Sequence, residues 1–128
     1  MRAYVAITPT ELRGFMDSGL FHADKVLIVG QANSENPESD TLEELEFESS
    51  WQAAMESRAM QTPEALGLVL AVDLEAEQVG AIRGNHVDVL SSLSWSQVQS
   101  LLLAESDEAE LSWFAAQEIA TYLPQWLA

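Results

Sequence analysis

The apolar and polar positions of this chain change period several times, and each change marks an element. Residues 2–7 (Arg-Ala-Tyr-Val-Ala-Ile) are almost continuously apolar and predict a short strand. At Thr8-Pro9-Thr10-Glu11 the pattern turns helical. Thr10 can cap a helix and Glu11 suits its positive end. Leu12, Phe15 and Met16 then form one apolar face at i, i+3 and i+4, and Gly19 supplies a stop. Val26-Leu27-Ile28-Val29 is an unbroken β-rich run ending at Gly30, the pattern of a strand covered on both faces. Gln31–Asp40 carries Asn, Ser and Pro and reads as a loop.

Residues 41–61 contain no Gly or Pro and predict the longest helix, with Asp40 as cap and Glu43 three positions on. Its apolar residues do not share one stripe. Leu42, Leu45, Ala53 and Met60 lie on one side; Phe47, Trp51, Ala54 and Met55 lie roughly opposite. Such a helix is covered on more than one side or exposes an apolar face. Pro63 bounds it, and Leu66–Val72 then predicts a central strand. Glu75–Gly84 is polar and reads as a connection; residues 86–90 alternate around Val87 and Val89 as a short strand. Val98–Ala104 reads as a strand, although Leu101-Leu102-Leu103 would suit a helix equally. After an acidic run, Leu111, Phe114, Ala115, Glu118, Ile119 and Tyr122 follow helical spacing up to a stop at Pro124. The order is βαβαβββα, with strands following the helices. That argues for an α+β fold: two layers, a single sheet of about five strands with helices packed against it, one domain over residues 1–128.

Composition narrows the function classes. A chain of 128 residues with 48% apolar content is an ordinary single domain. Twenty-one acidic residues face five basic ones, a net charge of −16, and Lys25 is the only lysine. Direct binding to nucleic-acid phosphates or to anionic membranes is disfavoured, since both need Lys and Arg. A solvated surface, a basic protein partner or mimicry of a nucleic acid are the readings left. Absence of cysteine excludes disulfides, Cys-based zinc sites and thiol nucleophiles, and fits a reducing cytoplasm. No apolar stretch approaches the length of a membrane span, and the first apolar run is too short for a signal-peptide core.

Chemistry-bearing residues are few. Each histidine precedes an aspartate by two positions, in His22-Ala23-Asp24 and His86-Val87-Asp88. On a strand, His86 and Asp88 share a face and could form an acid/base dyad, but two ligands make no zinc site. No nucleophile elbow, dinucleotide loop, P-loop or calcium loop is present, so neither metal nor cofactor is expected. Glu46 lies beside Leu42, Leu45 and Ala53; if buried, it needs Arg2, Arg13, Arg58 or Arg83 as partner. Of the four tryptophans, Trp113 sits in the last predicted helix and is expected in the core. Trp126, beyond Pro124, is expected to contact something outside the domain, as are Phe47 and Trp51.

Three segments carry a resemblance: Met1-Arg2-Ala3-Tyr4-Val5-Ala6-Ile7-Thr8 with Leu12, then Glu43-Glu44-Leu45-Glu46-Phe47 with Ala53-Ala54, then Glu110–Ile119 (Glu-Leu-Ser-Trp-Phe-Ala-Ala-Gln-Glu-Ile). Together with Leu68–Asp73, they resemble an uncharacterised family of small actinobacterial proteins, a domain of unknown function. Where that family carries His-Val-Asp-Asp on a late strand, this chain has Leu102-Leu103-Ala104-Glu105, so any role of that histidine has no counterpart here. The resemblance implies the fold order and no activity. The expectation is a cytoplasmic, non-enzymatic protein acting through a protein partner, a monomer or weak homodimer. The alternatives are a small enzyme using His86, Asp88 and Glu46, and an acidic nucleic-acid mimic.

Overall fold

The computed structural model describes residues 1–29, 39–61, 65–106, 108 and 110–127, with the side chains of residues 39–43 excepted. The chain runs β1 (Arg2–Ile7), α1 (Pro9–Ser18), β2 (Leu20–Phe21), β3 (Lys25–Leu27), α2 (Ser39–Ala59), β4 (Gly67–Asp73), β5 (Val79–Arg83), β6 (His86–Val89), β7 (Leu93–Ser94), β8 (Val98–Ala104), β9 (Ser112–Ala115) and α3 (Ile119–Leu127). Single 3-10 turns lie at Ala76–Gln78, Trp95–Gln97 and Ala116–Glu118. Seven strands form one sheet in the order β5-β6-β3-β1-β4-β8-β9, and β2 pairs separately with β7. Every pairing is antiparallel.

This is the α+β architecture expected, with a wider sheet. Glu75–Gly84 is not only a connection: it holds β5. Residues 112–115 form β9 rather than the start of the last helix. The helical spacing of Leu111, Phe114 and Ala115 was matched by a second pattern, period-2 alternation. Phe114 turns to one face, against Tyr122 and Trp126 at ring distances of 5.0 and 5.2 Å. Trp113 turns to the other. Pairing with β8 wins because it gives the Leu101–Leu103 segment a hydrogen-bonded neighbour on its far side. Pro124 does not stop α3 but lies inside it. A proline inside a helix, through the lost hydrogen bond and the clash of its ring with the preceding turn, costs about 3 kcal/mol. Continuing the helix buries Leu123 and Trp126, each worth roughly 2–3 kcal/mol, which offsets that loss.

The sheet separates two apolar layers. Ala3, Val5, Ile7, Leu68, Leu70, Val72, Val87, Val89, Leu101 and Leu103 point towards α1 and α3 and form the larger core. Tyr4, Leu27, Val69, Ala71 and Ala104 point towards α2. The buried stripe of α2 is made of small residues: Ser49, Ser50, Ala53, Ala54 and Ser57. A helix with so little side chain on its inner face lies close to the sheet. A Cβ at Gly67 would come within 2.5 Å of the Ala54 carbonyl oxygen, so glycine is required there. Two of the three serine hydroxyls replace apolar contact with bonds to the backbone of the sheet layer, while Ser50 Oγ donates back to Glu46 O and Phe47 O in its own helix. Ser57 Oγ donates to Ile7 O (2.6 Å) and accepts from Leu68 N (3.0 Å); Ser49 Oγ donates to Ile28 O (2.9 Å).

One local device recurs where a strand gives way to a helical turn. The residue three positions into the turn turns its side chain back to accept the N–H of the residue before the turn. Glu11 does so for Thr8, Gln78 for Glu75, Gln97 for Ser94 and Glu118 for Ala115. Thr8, rather than Thr10, is therefore the cap of α1, with Pro9 in its first turn, and Gly19 ends the helix at φ 80°. Gln78 and Gln97 also meet each other. Gln97 Nε2 donates to Gln78 Oε1 (2.6 Å), and Gln78 Nε2 to Gln97 Oε1 (3.1 Å). Their second N–H groups bond Asp73 O (2.9 Å) and Ser92 O (3.0 Å). Both donor positions and both lone pairs of each buried amide are thereby used.

Candidate functional site

Val87 and Val89 enter the larger core, so His86 and Asp88 share the opposite face of β6, as their spacing requires. Register places Leu27 opposite His86 and Lys25 opposite Asp88. His86 Nε2 lies 4.0 Å from Glu56 Oε1 on α2, with both side chains partly exposed. His22 Nε2 pairs with Asp24 Oδ1 at 2.9 Å on the surface. A cleft of about 410 Å³ opens between α2 and the strands at this flank, lined by Glu11, His22, Asp24, Lys25 and Glu56 with Tyr4 and Phe21. His86 and Asp88 do not line it. Among the described residues, no group of three or more histidines and carboxylates is placed to hold a metal ion.

Glu46 corrects the expectation attached to it. It is exposed, with no arginine within ion-pair distance among the described residues, and takes no part in the cleft. Its sequence neighbours suggested burial, but the inner stripe of α2 is taken by small residues further along the helix. Its field is still felt at Tyr4, whose hydroxyl pKa is pushed up first by burial and then by the Glu46 charge, with Arg2 opposing. The carboxylate that stands beside His86 is Glu56, which was not singled out from sequence. Pro63 and the segment 30–38 lie outside the described residues.

The apolar candidates divide. Trp126 is 8% exposed and packed on Phe114, so it belongs to the core rather than to an outside contact. Phe47 and Trp51 do lie on the outer flank of α2, stacked at 6.2 Å and 10°, with Phe47 40% exposed. Trp51, Met55, Leu102 and Leu111 lean on the α2-side core without being covered by it. Trp113, expected in the core, is 63% exposed, on the same face as Leu102, its partner across the β8–β9 ladder. Leu102, Leu111 and Trp113 thus leave apolar surface on the α2-side face at the sheet margin, where β9 is the terminal strand.

The C-terminal third of the chain, which supplies that margin, is acidic. Residues 84–128 contain no Lys or Arg but six acids: Asp88, Glu105, Asp107, Glu108, Glu110 and Glu118. Glu105, Glu108 and Glu110 are exposed in the connection leading into β9. On α2, Glu44 and Glu48 are exposed and lie one turn from Phe47 and Trp51. Lys25, His22, His86 and Arg83 all belong to the opposite side of the sheet, on or beside β3, β5 and β6.

No helix among the described residues is long and apolar enough to cross a membrane. A family model matches residues 1–110, and the family it describes has no known function. No curated protein and no solved structure matches the chain.

Proposed function

The chain belongs to DUF6912, a family of unknown function whose model spans residues 1–110, and from the chain's own surface we propose that it works as a non-enzymatic protein-binding module. The observation that carries this is Trp113, 63% exposed on a terminal strand, on the same face of the sheet as α2 with its half-covered Phe47–Trp51 stack. An indole left in water on a strand that could have turned it inward forfeits roughly 2 kcal/mol or more of burial. Tryptophan is also the residue type most enriched among those that dominate binding energy at protein interfaces. The His/carboxylate alternative gains no support from the described cleft, which none of His86, Asp88 and Glu46 lines. The setting we propose is the reducing cytoplasm of an actinobacterial cell, on the absence of cysteine and the family resemblance.

Capture from native lysate tests the proposal, using wild type, Trp113→Ser and Leu20→Ser as baits. Leu20 is a second exposed apolar residue, on β2 away from this margin. A partner retained by wild type and Leu20→Ser but lost by Trp113→Ser is the expected result. Identical capture by all three would refute it.

A further inference from the structure

We propose that the element docking at this margin is an extended, arginine-bearing segment that adds as an eighth strand beside β9. The inference rests on the protein-binding reading above and names the chemistry of its partner.

The backbone of β9 supplies the first reason. Ala115 gives its N–H to Glu118 Oε1 (3.0 Å), so that group points away from β8. Backbone direction alternates along a strand, and the N–H and C=O of Trp113, two residues earlier, point to the same free side. An incoming strand can exchange both hydrogen bonds with Trp113. Its residue directly opposite then projects on the same face as the indole, with Cβ atoms about 4.5–5.5 Å apart.

Charge supplies the second. The side chain delivered beside Trp113 meets a tryptophan face and, in the connection that leads into β9, the exposed carboxylates of Glu105, Glu108 and Glu110; the cation nearest this end of the sheet, Arg58 on α2, is held by the Ala65 carbonyl at 2.9 Å. An arginine satisfies both demands: its guanidinium stacks on indole within about 6 Å of the ring centre while carrying the opposite charge. A second copy of this chain would bring another net −16 to the same margin and set acidic connections against each other.

The probe is a synthetic blocked peptide, Arg-Val-Thr-Arg-Thr-Val-Arg, titrated at low salt into the full chain with indole fluorescence and amide NMR as readouts. Three comparisons accompany it: the same peptide with glutamate for arginine, the same peptide N-methylated on alternate backbone nitrogens, and Trp113→Ala as the receptor. Saturable binding is expected, with a shifted Trp113 amide, at least about tenfold weaker in each comparison, a difference of one decade in Kd. Higher salt should weaken it further. Absence of saturation at about 5 mM, above the millimolar range that such a titration resolves, overturns the inference. So does equal binding of the N-methylated or the glutamate peptide. Light scattering that shows wild-type dimers abolished by Trp113→Ala would assign the edge to a second copy instead, and would also overturn it. If lysate capture depends on Trp113 but the peptide fails, the strand-addition inference falls alone; if both fail, the protein-binding reading falls with it.

Discussion

Replacing Gln97 with alanine should destabilise the fold far more than the loss of one polar side chain from a surface would. Gln97 makes four hydrogen bonds, to Asp73 O, Ser94 N and both ends of the Gln78 amide, at 2.6–3.1 Å. Both amides are at least nine-tenths covered. Truncation leaves one N–H and one lone pair of Gln78 without a partner inside the protein. A buried polar group so stranded costs about 1–3 kcal/mol. Allowing for the Ser94 N–H near the surface, the total is about 3 kcal/mol. For a chain of 128 residues this lowers the melting temperature by roughly 10 °C. Gln78→Ala should cost about the same, because the two glutamines occupy equivalent positions in the network.

The double variant decides the reasoning. If most of the cost is the orphaned partner, removing both amides costs less than the sum of the two single losses. The coupling should be about 1–2 kcal/mol, within the range found for residues sharing one network. Urea unfolding of wild type, both single variants and the double variant supplies the four free energies, with unchanged slopes as the check on two-state behaviour. Single variants as stable as wild type, or an additive double variant, would refute the account.

Glu46→Ala should change stability by no more than about 0.5 kcal/mol, as expected of an exposed site; a loss of about 3 kcal/mol, measured the same way, would restore the buried ion pair that the structure removes. Tyr4→Phe should flatten the alkaline limb of stability. The folded state raises the Tyr4 pKa above its ordinary value, so folding holds this proton longer than the unfolded chain does. The stability it confers is complete below about pH 10 and is lost as pH rises through the folded value. Melting followed from pH 8 upward should show wild type declining more steeply than Tyr4→Phe, and parallel curves would count against the assignment.

Strands buried on both faces were readable because their residues are uniformly large and apolar: Val26–Val29, Leu68–Val72 and, with less contrast, Val98–Ala104. The long helix was readable from the absence of Gly and Pro, but its orientation was not. Its inner face is Ser49, Ser50, Ala53, Ala54 and Ser57, and hydroxyls bonded to backbone carbonyls carry no hydrophobic signal. Weighting by apolar size therefore assigned Glu46 to a buried side. The glutamine pair had a local signature that periodicity does not weigh. Leu74-Glu75-Ala76-Glu77-Gln78-Val79 and Leu93-Ser94-Trp95-Ser96-Gln97-Val98 share Leu-x-x-x-Gln-Val, and each forms the same strand-to-turn step.

The candidate surface was half legible for a related reason. Phe47 and Trp51 stood out because they could not share a stripe with the rest of their helix, and the structure leaves them on its flank. Trp113 and Trp126 exchanged roles because both assignments rested on the final segment being helical from residue 111. Once Ser112–Ala115 pairs with β8, adjacent aromatics must face opposite sides. Phe114 is drawn inward by Tyr122 and Trp126, which anchors the C-terminal helix and covers Trp126. Trp113 is then committed to the other face at the sheet's last strand, where no further element among the described residues covers it. The same pairing that completes the core thus creates the exposed indole, so the surface on which the proposed partner binding rests is a consequence of the fold at β9 rather than a feature added to it.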